Sequence, residues 1–348
     1  MTRVTWTIVD HHDPGVRAAL FAADAAVLPA TVTAWQPAKD IAARRGKDLA
    51  EQFSWCTDES VAAIRARALR LARPEDYLQR VIEVDGLMAL VGIRFVGGDR
   101  EQPFVELIAL ARTDGRDAAP EAAALRSMVG AAIDSHAVFR PTMARLWRST
   151  AVGEAPDACP PALGDGPDLR PRMDQVLVAG PPSDMTEHGP TADGIALVDA
   201  SADAAMAFLE RQYAAFRERE PELSQRVPPA DLEDFAGCRT AGRLAWWTVD
   251  GRVAGLIGVE RRPYAGLNGW LVIEEVVDAA YVGRGTAASA QRRLADWLRG
   301  DEAGDVAAGR GRPVVHGTID GANNASRRTA ERAGRCTLGA WWFIESGE

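Results

Sequence analysis

Apolar positions along the chain switch between a period of two and a period near 3.6, and these switches mark strands and helices. Residues 4–10 alternate as a strand, and a helix is predicted over residues 15–27. Residues 30–80 read as mainly helical, with Ile64, Leu69 and Leu71 on buried faces. Strands at 80–83 and 88–95 are predicted to turn at Asp85-Gly86, a hairpin dipeptide. A strand at 104–111, a helix at 122–133 and a short strand or helix within 137–149 follow. Residues 153–171 carry five prolines and three glycines and read as a loop, after which 173–178 return as a strand.

The order then restarts. Residues 195–198 form a strand ending in Asp199, as Ile8-Val9 ends in Asp10. Met206, Leu209, Tyr213 and Phe216 share a helix face, and residues 246–259 form a hairpin turning at Asp250-Gly251. Phe104-Val105-Glu106-Leu107-Ile108 matches Val272-Ile273-Glu274-Glu275-Val276 without a gap as far as Gly115-Arg116 against Gly283-Arg284. Self-similarity in the same order, about 165–168 residues apart, indicates an internal duplication. The expected organisation is an α/β chain of two domains, residues 1–181 and 193–348, joined by a linker at 182–192. Each domain is a mixed, mostly antiparallel sheet flanked by helices.

The sharpest chemical signal is Tyr281-Val282-Gly283-Arg284-Gly285-Thr286-Ala287, between the β-branched run 271–277 and a helix striped by Ala287, Ala290, Leu294, Trp297 and Leu298. A glycine turn from strand into helix bares backbone N–H groups where the helix dipole favours anions, and Arg284 adds positive charge. A phosphate is the natural guest. In the first copy Asp117 stands opposite Gly285, which places negative charge where phosphate would bind and marks that copy as degenerate.

Residues 193–348 resemble a GNAT-type N-acetyltransferase. That family's acyl-CoA loop reads Gln/Arg-x-x-Gly-x-Gly/Ala, commonly after Asp-Pro-x-Tyr; here Asp278, Tyr281, Gly283, Gly285 and Ala287 match, and Val282 stands where Gln or Arg is usual. The segment from Asn323-Asn324 to Gly334 looks like the family's Asn-x-x-Ser helix closed by Gly, with Arg335 replacing the usual Phe. The resemblance implies tandem GNAT-like domains, with acetyl-CoA as co-substrate. It would be held by the backbone of Val276 and Val277, by Val282, Gly283, Arg284, Gly285, Thr286 and Ala287, and by Asn324 and Arg327. Asn and Gly334 are also accounted for as helix caps.

Acyl transfer to an amine needs a base, a donor for the oxyanion and an acid for the leaving thiolate. Glu274 and Glu275 interrupt an apolar strand and are the candidate bases; strand alternation sends only one into a cleft unless a bulge intervenes. The resemblance gives the N–H of Val276 or Val277 the oxyanion role. The family's usual acid, a Tyr four residues before the closing Gly, is Ala330 here. Tyr213 and Tyr264 could reach the cleft but read as core or surface residues, His316 reads as a satisfied strand residue, and Trp246, Trp247, Trp341 and Trp342 read as core rather than a substrate wall.

Composition narrows the partner. A net charge of −9 opposes nucleic-acid binding, while Gly283–Glu348 carries ten arginines and eight acidic residues, +2 against −11 elsewhere. That suits a small phosphorylated ligand. Four scattered cysteines and the isolated His11-His12 suggest neither a disulfide framework nor a metal site. No apolar run has membrane-spanning length and no signal-peptide pattern opens the chain, so a cytoplasmic monomer or homodimer is expected. The expected activity is acetyl transfer to a primary amine of a small molecule by direct attack in a ternary complex. A mycothiol-synthase-like acceptor and a peptide or protein N-terminus are alternatives, and a non-catalytic acyl-CoA-binding protein is the rival of another class.

Overall fold

The computed structural model describes residues 5–115, 120–150, 169–189 and 191–346. The chain forms two compact units: Met1–Pro29, Ala42–Asp174 and Gly339–Glu348 in one, Ala30–Ile41 and Gln175–Leu338 in the other.

In the first unit the sheet runs β1 (Thr7–Val9), β2 (Arg80–Val84), β3 (Leu87–Phe95), β4 (Pro103–Arg112) and β5 (Met143–Ser149). Its sixth member is residues 339–345 of the chain's last strand, antiparallel to β5. Of the helices α1 (Pro14–Ala25), α2 (Ala30–Trp35), α3 (Ala38–Ser54), α4 (Glu59–Leu69) and α5 (Ala122–Ser135), α2 belongs to the second unit. Leu20, Leu49 and Phe53 of α1 and α3 close on Val81, Met88, Leu90 and Ala109 to make the core. Every pairing in this sheet is antiparallel except β4 with β5.

The second unit repeats the plan. Strand β6 (Leu169–Gly180) contributes residues 175–180, beside β11 (Val314–Asp320). Next come β10 (Gly269–Val277), β9 (Arg252–Arg261), β8 (Leu244–Val249) and β7 (Ile195–Asp199). Only β10 with β11 is parallel. One face carries α7 (Ala202–Arg219) and α9 (Leu232–Thr240), whose Phe208, Leu209, Tyr213 and Phe235 pack on Leu244, Leu256, Ile273 and Val276. The other face carries α10 (Thr286–Ala307), packed on Trp247, Ile257, Val259, Trp270, Val272 and Val277. Short α6 (Pro182–Glu187) and α8 (Pro221–Arg226), with α11 (Asn324–Arg332), complete it.

The expected α/β class is the observed one, and within each unit the strands pair mostly antiparallel and are flanked by helices. Both hairpins turn where expected, with positive φ at Asp85-Gly86 and at Asp250-Gly251, as a type I′ turn requires. Two segments lie outside the expected boundaries. Residues 175–180 pair in the second unit and 339–345 pair in the first, because strands join the sheet that satisfies their backbone groups rather than the nearer stretch of chain. The expected linker contains α6, whose Met185 is fully buried in the second unit's core. Arg116–Ala119, where the degenerate turn of the first copy is expected, lies outside the described residues. No helix among the described residues is long and apolar enough to cross a membrane.

Strand pairing also corrects the repeat register. In the first unit Leu90 faces Ala109 and Val91 faces Leu107, so Ile108 is an extra residue on β4. In the second unit Gly258 faces Glu274 and Val259 faces Val272, so Ile273 is the extra residue on β10. The two bulges are 165 residues apart. Glu274 and Glu275 therefore correspond to Ala109 and Leu110, and the gapless match to Glu106 is three residues out of phase. Compact apolar strands align equally well in several registers, and only the bulge fixes which one is structural.

Candidate functional site

The site is built where β10 leaves β11. Their parallel pairing covers only Gly269 with Val314, Trp270 with Val315 and Leu271 with His316. Beyond His316, β11 continues along β6, while β10 continues along β9. Asp278 N–H donates to Ala254 O at 2.9 Å, which sets the phase of the β10 backbone. By alternation Val276 also turns its N–H to β9, while Glu275 and Val277 turn theirs to the opened side. Glu275 N–H donates to Glu274 Oε1 at 3.0 Å. Val277 is thus the one of the two expected backbone donors that faces the opening.

The bulge decides where the carboxylates go. Ile273 packs with α7 and α9, whereas Val272 packs with α10. Because Ile273 is extra, Glu274 falls on its face instead of the opposite one. There Glu274 Oε2 accepts from the Tyr213 hydroxyl at 3.3 Å and from Ala230 N–H at 3.2 Å. Burial raises its pKa to about 6, and the donated hydrogen bonds oppose that rise. Tyr213, buried in the core, also reaches this carboxylate; burial and the Glu274 charge push its hydroxyl pKa upward.

Glu275 faces α10. Its Oε2 accepts from Gln291 Nε2 at 2.6 Å, and Arg335 Nη2 lies 3.8 Å away. Burial raises its pKa, and the guanidinium of Arg335 opposes the rise. The two candidate bases therefore stand on opposite faces of the sheet, one held by neutral donors and one by a buried cation.

After β10, Asp278 caps a short turn over Ala279–Tyr281 by accepting from Ala280 N–H at 2.9 Å. Gln212 of α7 ties this turn down, donating to Asp278 Oδ2 at 3.1 Å and accepting from Ala279 N–H at 3.0 Å. Gly283 and Gly285 follow at φ 78° and 73°, a region side chains resist, and an added Cβ at either would meet nothing within 4 Å. The glycines are required by backbone shape alone. Helix α10 then starts with no side chain capping it, and Thr286 Oγ1 is buried without a hydrogen-bond partner. Val282 and Arg284 are exposed, and the Arg284 guanidinium lies 5.4 Å from the Tyr281 ring centroid. Ala287 is buried against the sheet. An uncapped helix of 22 residues, an orphaned hydroxyl and an exposed arginine fit an anionic group such as a pyrophosphate.

No protein-family model matches the chain, and no curated protein matches it in sequence. Solved structures do match. A GCN5-related N-acetyltransferase from Sphaerobacter thermophilus is 14% identical over 100% of this chain and 96% of its own, with a TM-score of 0.46. A tandem GNAT protein from the clavulanic acid biosynthesis pathway is 14% identical over 99% of both chains, with a TM-score of 0.43. A GCN5-related N-acetyltransferase from Kribbella flavida is 15% identical over 83% of this chain and 95% of its own, with a TM-score of 0.36. The likeness is to GNAT proteins.

The remaining expected residues divide. Asn323, not Asn324, caps α11, accepting from Ser326 N–H at 3.1 Å. Asn324 is exposed at the helix start, and its Oδ1 accepts from buried Arg327 at 2.9 Å. Ala330 is fully buried. His316 is buried with Nε2 3.0 Å from Arg262 O, and burial lowers its pKa to about 4, so it is neutral at pH 7. The four tryptophans do not form one wall: Trp341 packs on Trp147 in the first unit, and Trp247 is core in the second. Among the described residues no His/Cys/Asp/Glu group could hold a metal ion. The bulge, the Tyr213 and Ala230 contacts and Arg335 had no sequence signal beyond the adjacency of two glutamates and the replacement of a usual Phe.

Proposed function

We propose that the second unit is an acyl-CoA-dependent N-acetyltransferase that acts on a primary amine of a small molecule in a ternary complex. The observation that carries this reading is Glu274. A carboxylate with a pKa near 6 sits on the strand that opens beside β11 and runs directly into the uncapped glycine turn. Such a group is ionised at neutral pH yet basic enough to accept a proton from an ammonium. Acetyl-CoA supplies an activated acyl thioester.

Gly283, Arg284, Gly285, Thr286 and Ala287, with Val282 beside them, hold its phosphates through N–H groups, the Thr286 hydroxyl and the Arg284 charge. Val277 N–H is the donor for the acyl carbonyl, with Val276 keeping β10 fixed to β9. Asn324 and Arg327 bound the pantetheine side. Tyr213 and Ala230 orient Glu274 toward the incoming amine. An acidic surface favours a cationic acceptor.

The deciding experiment is turnover of a panel of small-molecule amines, read as free CoA released from acetyl-CoA. At least one amine is expected to raise release well above hydrolysis. Release at the hydrolysis rate with every amine would favour a second reading, a non-catalytic acyl-CoA-binding protein, for which buried Ala330 at the family's acid position is the specific observation. A binding measurement tests the turn separately. Gly285→Glu puts a negative side chain on a positive-φ position at the phosphate cradle, and acetyl-CoA affinity by calorimetry should fall roughly a hundredfold, about 2.7 kcal/mol. Unchanged affinity in that variant would move the cradle elsewhere.

A further inference from the structure

Arg335 is only 5% exposed, and Glu275 is its one charged partner among the described residues. Burying a guanidinium is costly unless it is paired, so the chain holds this charge for a reason that packing alone does not supply. The three side chains that meet here come from three elements. Glu275 lies on β10, two residues before that strand ends; Gln291 lies on α10, six residues after Gly285; Arg335 follows the Gly that closes α11. Gln291 is 1% exposed. Glu275 Oε1, Gln291 Oε1 and Arg335 Nε are all buried without hydrogen-bond partners, so the cluster is polar beyond the contacts it makes. Arg335 N–H also donates to Ala330 O at 3.0 Å, which fixes the guanidinium's stem to the end of α11.

The strand and helix that Glu275 and Gln291 join are the two arms of the glycine turn. Gly283 and Gly285 give that turn freedom, and no side chain caps the helix, so contacts between the arms contribute to its angle. Polar ties also hold α10 further along, Ser183 donating to Glu302 and Arg243 to Asp301, but these do not join it to β10. The short charge-assisted hydrogen bond from Gln291 to Glu275 ties the first turns of α10 directly to β10.

We propose that Arg335 is a positioning residue that acts through Glu275: it holds Glu275 as the acceptor for Gln291 and so locks α10 at the angle that presents the turn's N–H groups to the coenzyme phosphates. This rests on the reading of the turn as a CoA cradle. Arg335 touches no reacting atom, and its loss should appear in coenzyme binding rather than in the chemical step.

The test is a split between KM for acetyl-CoA and kcat, with calorimetric binding of CoA itself, on the full chain. Arg335→Met should raise the acetyl-CoA KM and the CoA Kd about tenfold while kcat stays within threefold. Arg335→Lys should recover most of the loss. The double variant Glu275→Gln with Arg335→Met should recover to within about threefold of wild type, because it removes both charges and leaves an amide to bond Gln291. If Arg335→Met does not fold, the double variant and Gln291→Leu carry the test, the latter expected to weaken CoA binding alone. Unchanged CoA affinity in Arg335→Met and Gln291→Leu, with wild type binding normally, overturns the positioning role and leaves the cradle standing. Absence of CoA binding by wild type overturns both.

Discussion

Glu274→Gln is expected to lower turnover of the best amine by roughly 10²–10⁴-fold, the usual contribution of a general base, while acetyl-CoA binding changes little. The pH profile should change with it. In wild type, kcat/KM is expected to rise as Glu274 ionises through about pH 6 and to level above it; in the variant that inflection should disappear. A variant with full turnover and an unaltered profile would assign the base elsewhere, and Tyr213→Phe, which removes one donor to Glu274, should shift the inflection upward. Stability carries the same signature with a fixed sign. Burial raises the folded pKa above the ordinary 4.5 of a glutamate, so the group's stabilising contribution is complete below pH 4.5 and is lost as pH rises through 6. Wild type should lose about 2 kcal/mol relative to the variant between those limits, seen as a widening difference in melting temperature.

A fragment comprising residues 193–348 should fail to give a cooperative melt. It contains the whole glycine turn and both carboxylates, yet it lacks the strand that flanks β11. Val176, Leu177, Val178 and Ala179 are each fully buried, and residues 175–180 pair with β11 from Val315 to Asp320. It also lacks Met185, fully buried against α10's core. Four larger apolar side chains at about 1.5–3 kcal/mol each amount to roughly 6–12 kcal/mol, which equals the whole stability of an ordinary domain. The exposed edge of β11 would moreover invite aggregation. Extending the fragment to begin at Gln175 should recover much of the cooperative transition in far-UV circular dichroism, and adding residues 30–41 of the same unit, whose Gln36 bonds Asn268 and Arg312, the rest. A sharp melt from 193–348 alone would show that the borrowed strand is dispensable.

Local features were legible in the sequence and non-local ones were not. Asp85-Gly86 and Asp250-Gly251 specify their turns within two residues, and Gly283 and Gly285 mark theirs because few other residues accept positive φ. The apolar stripe through Ala290, Leu294 and Leu298 identified α10. By contrast, nothing near residues 175–180 or 339–345 says which sheet will take them, since β-branched strands pair with any matching edge. The phase of β10 was hidden for the same reason: Val272 to Val277 is apolar enough on both faces that an extra residue at Ile273 leaves no gap in the pattern. Asn323 and Asn324 both cap well, and only the helix's own start chooses between them. Glu275 and Arg335, 60 positions apart in sequence, meet only after α11 has folded.

The bulge occurs twice, at Ile108 and at Ile273, in units whose residues beyond it have diverged to Ala109-Leu110 and Glu274-Glu275. Its persistence separates the aim of a side chain from the identity of that side chain. A single codon change at position 109 would direct a carboxylate to the corresponding face of the first sheet with no rearrangement of backbone, and one at 274 would erase it. Gain and loss of the proposed acid–base group are thus one-step mutations on a backbone conformation that both units already possess.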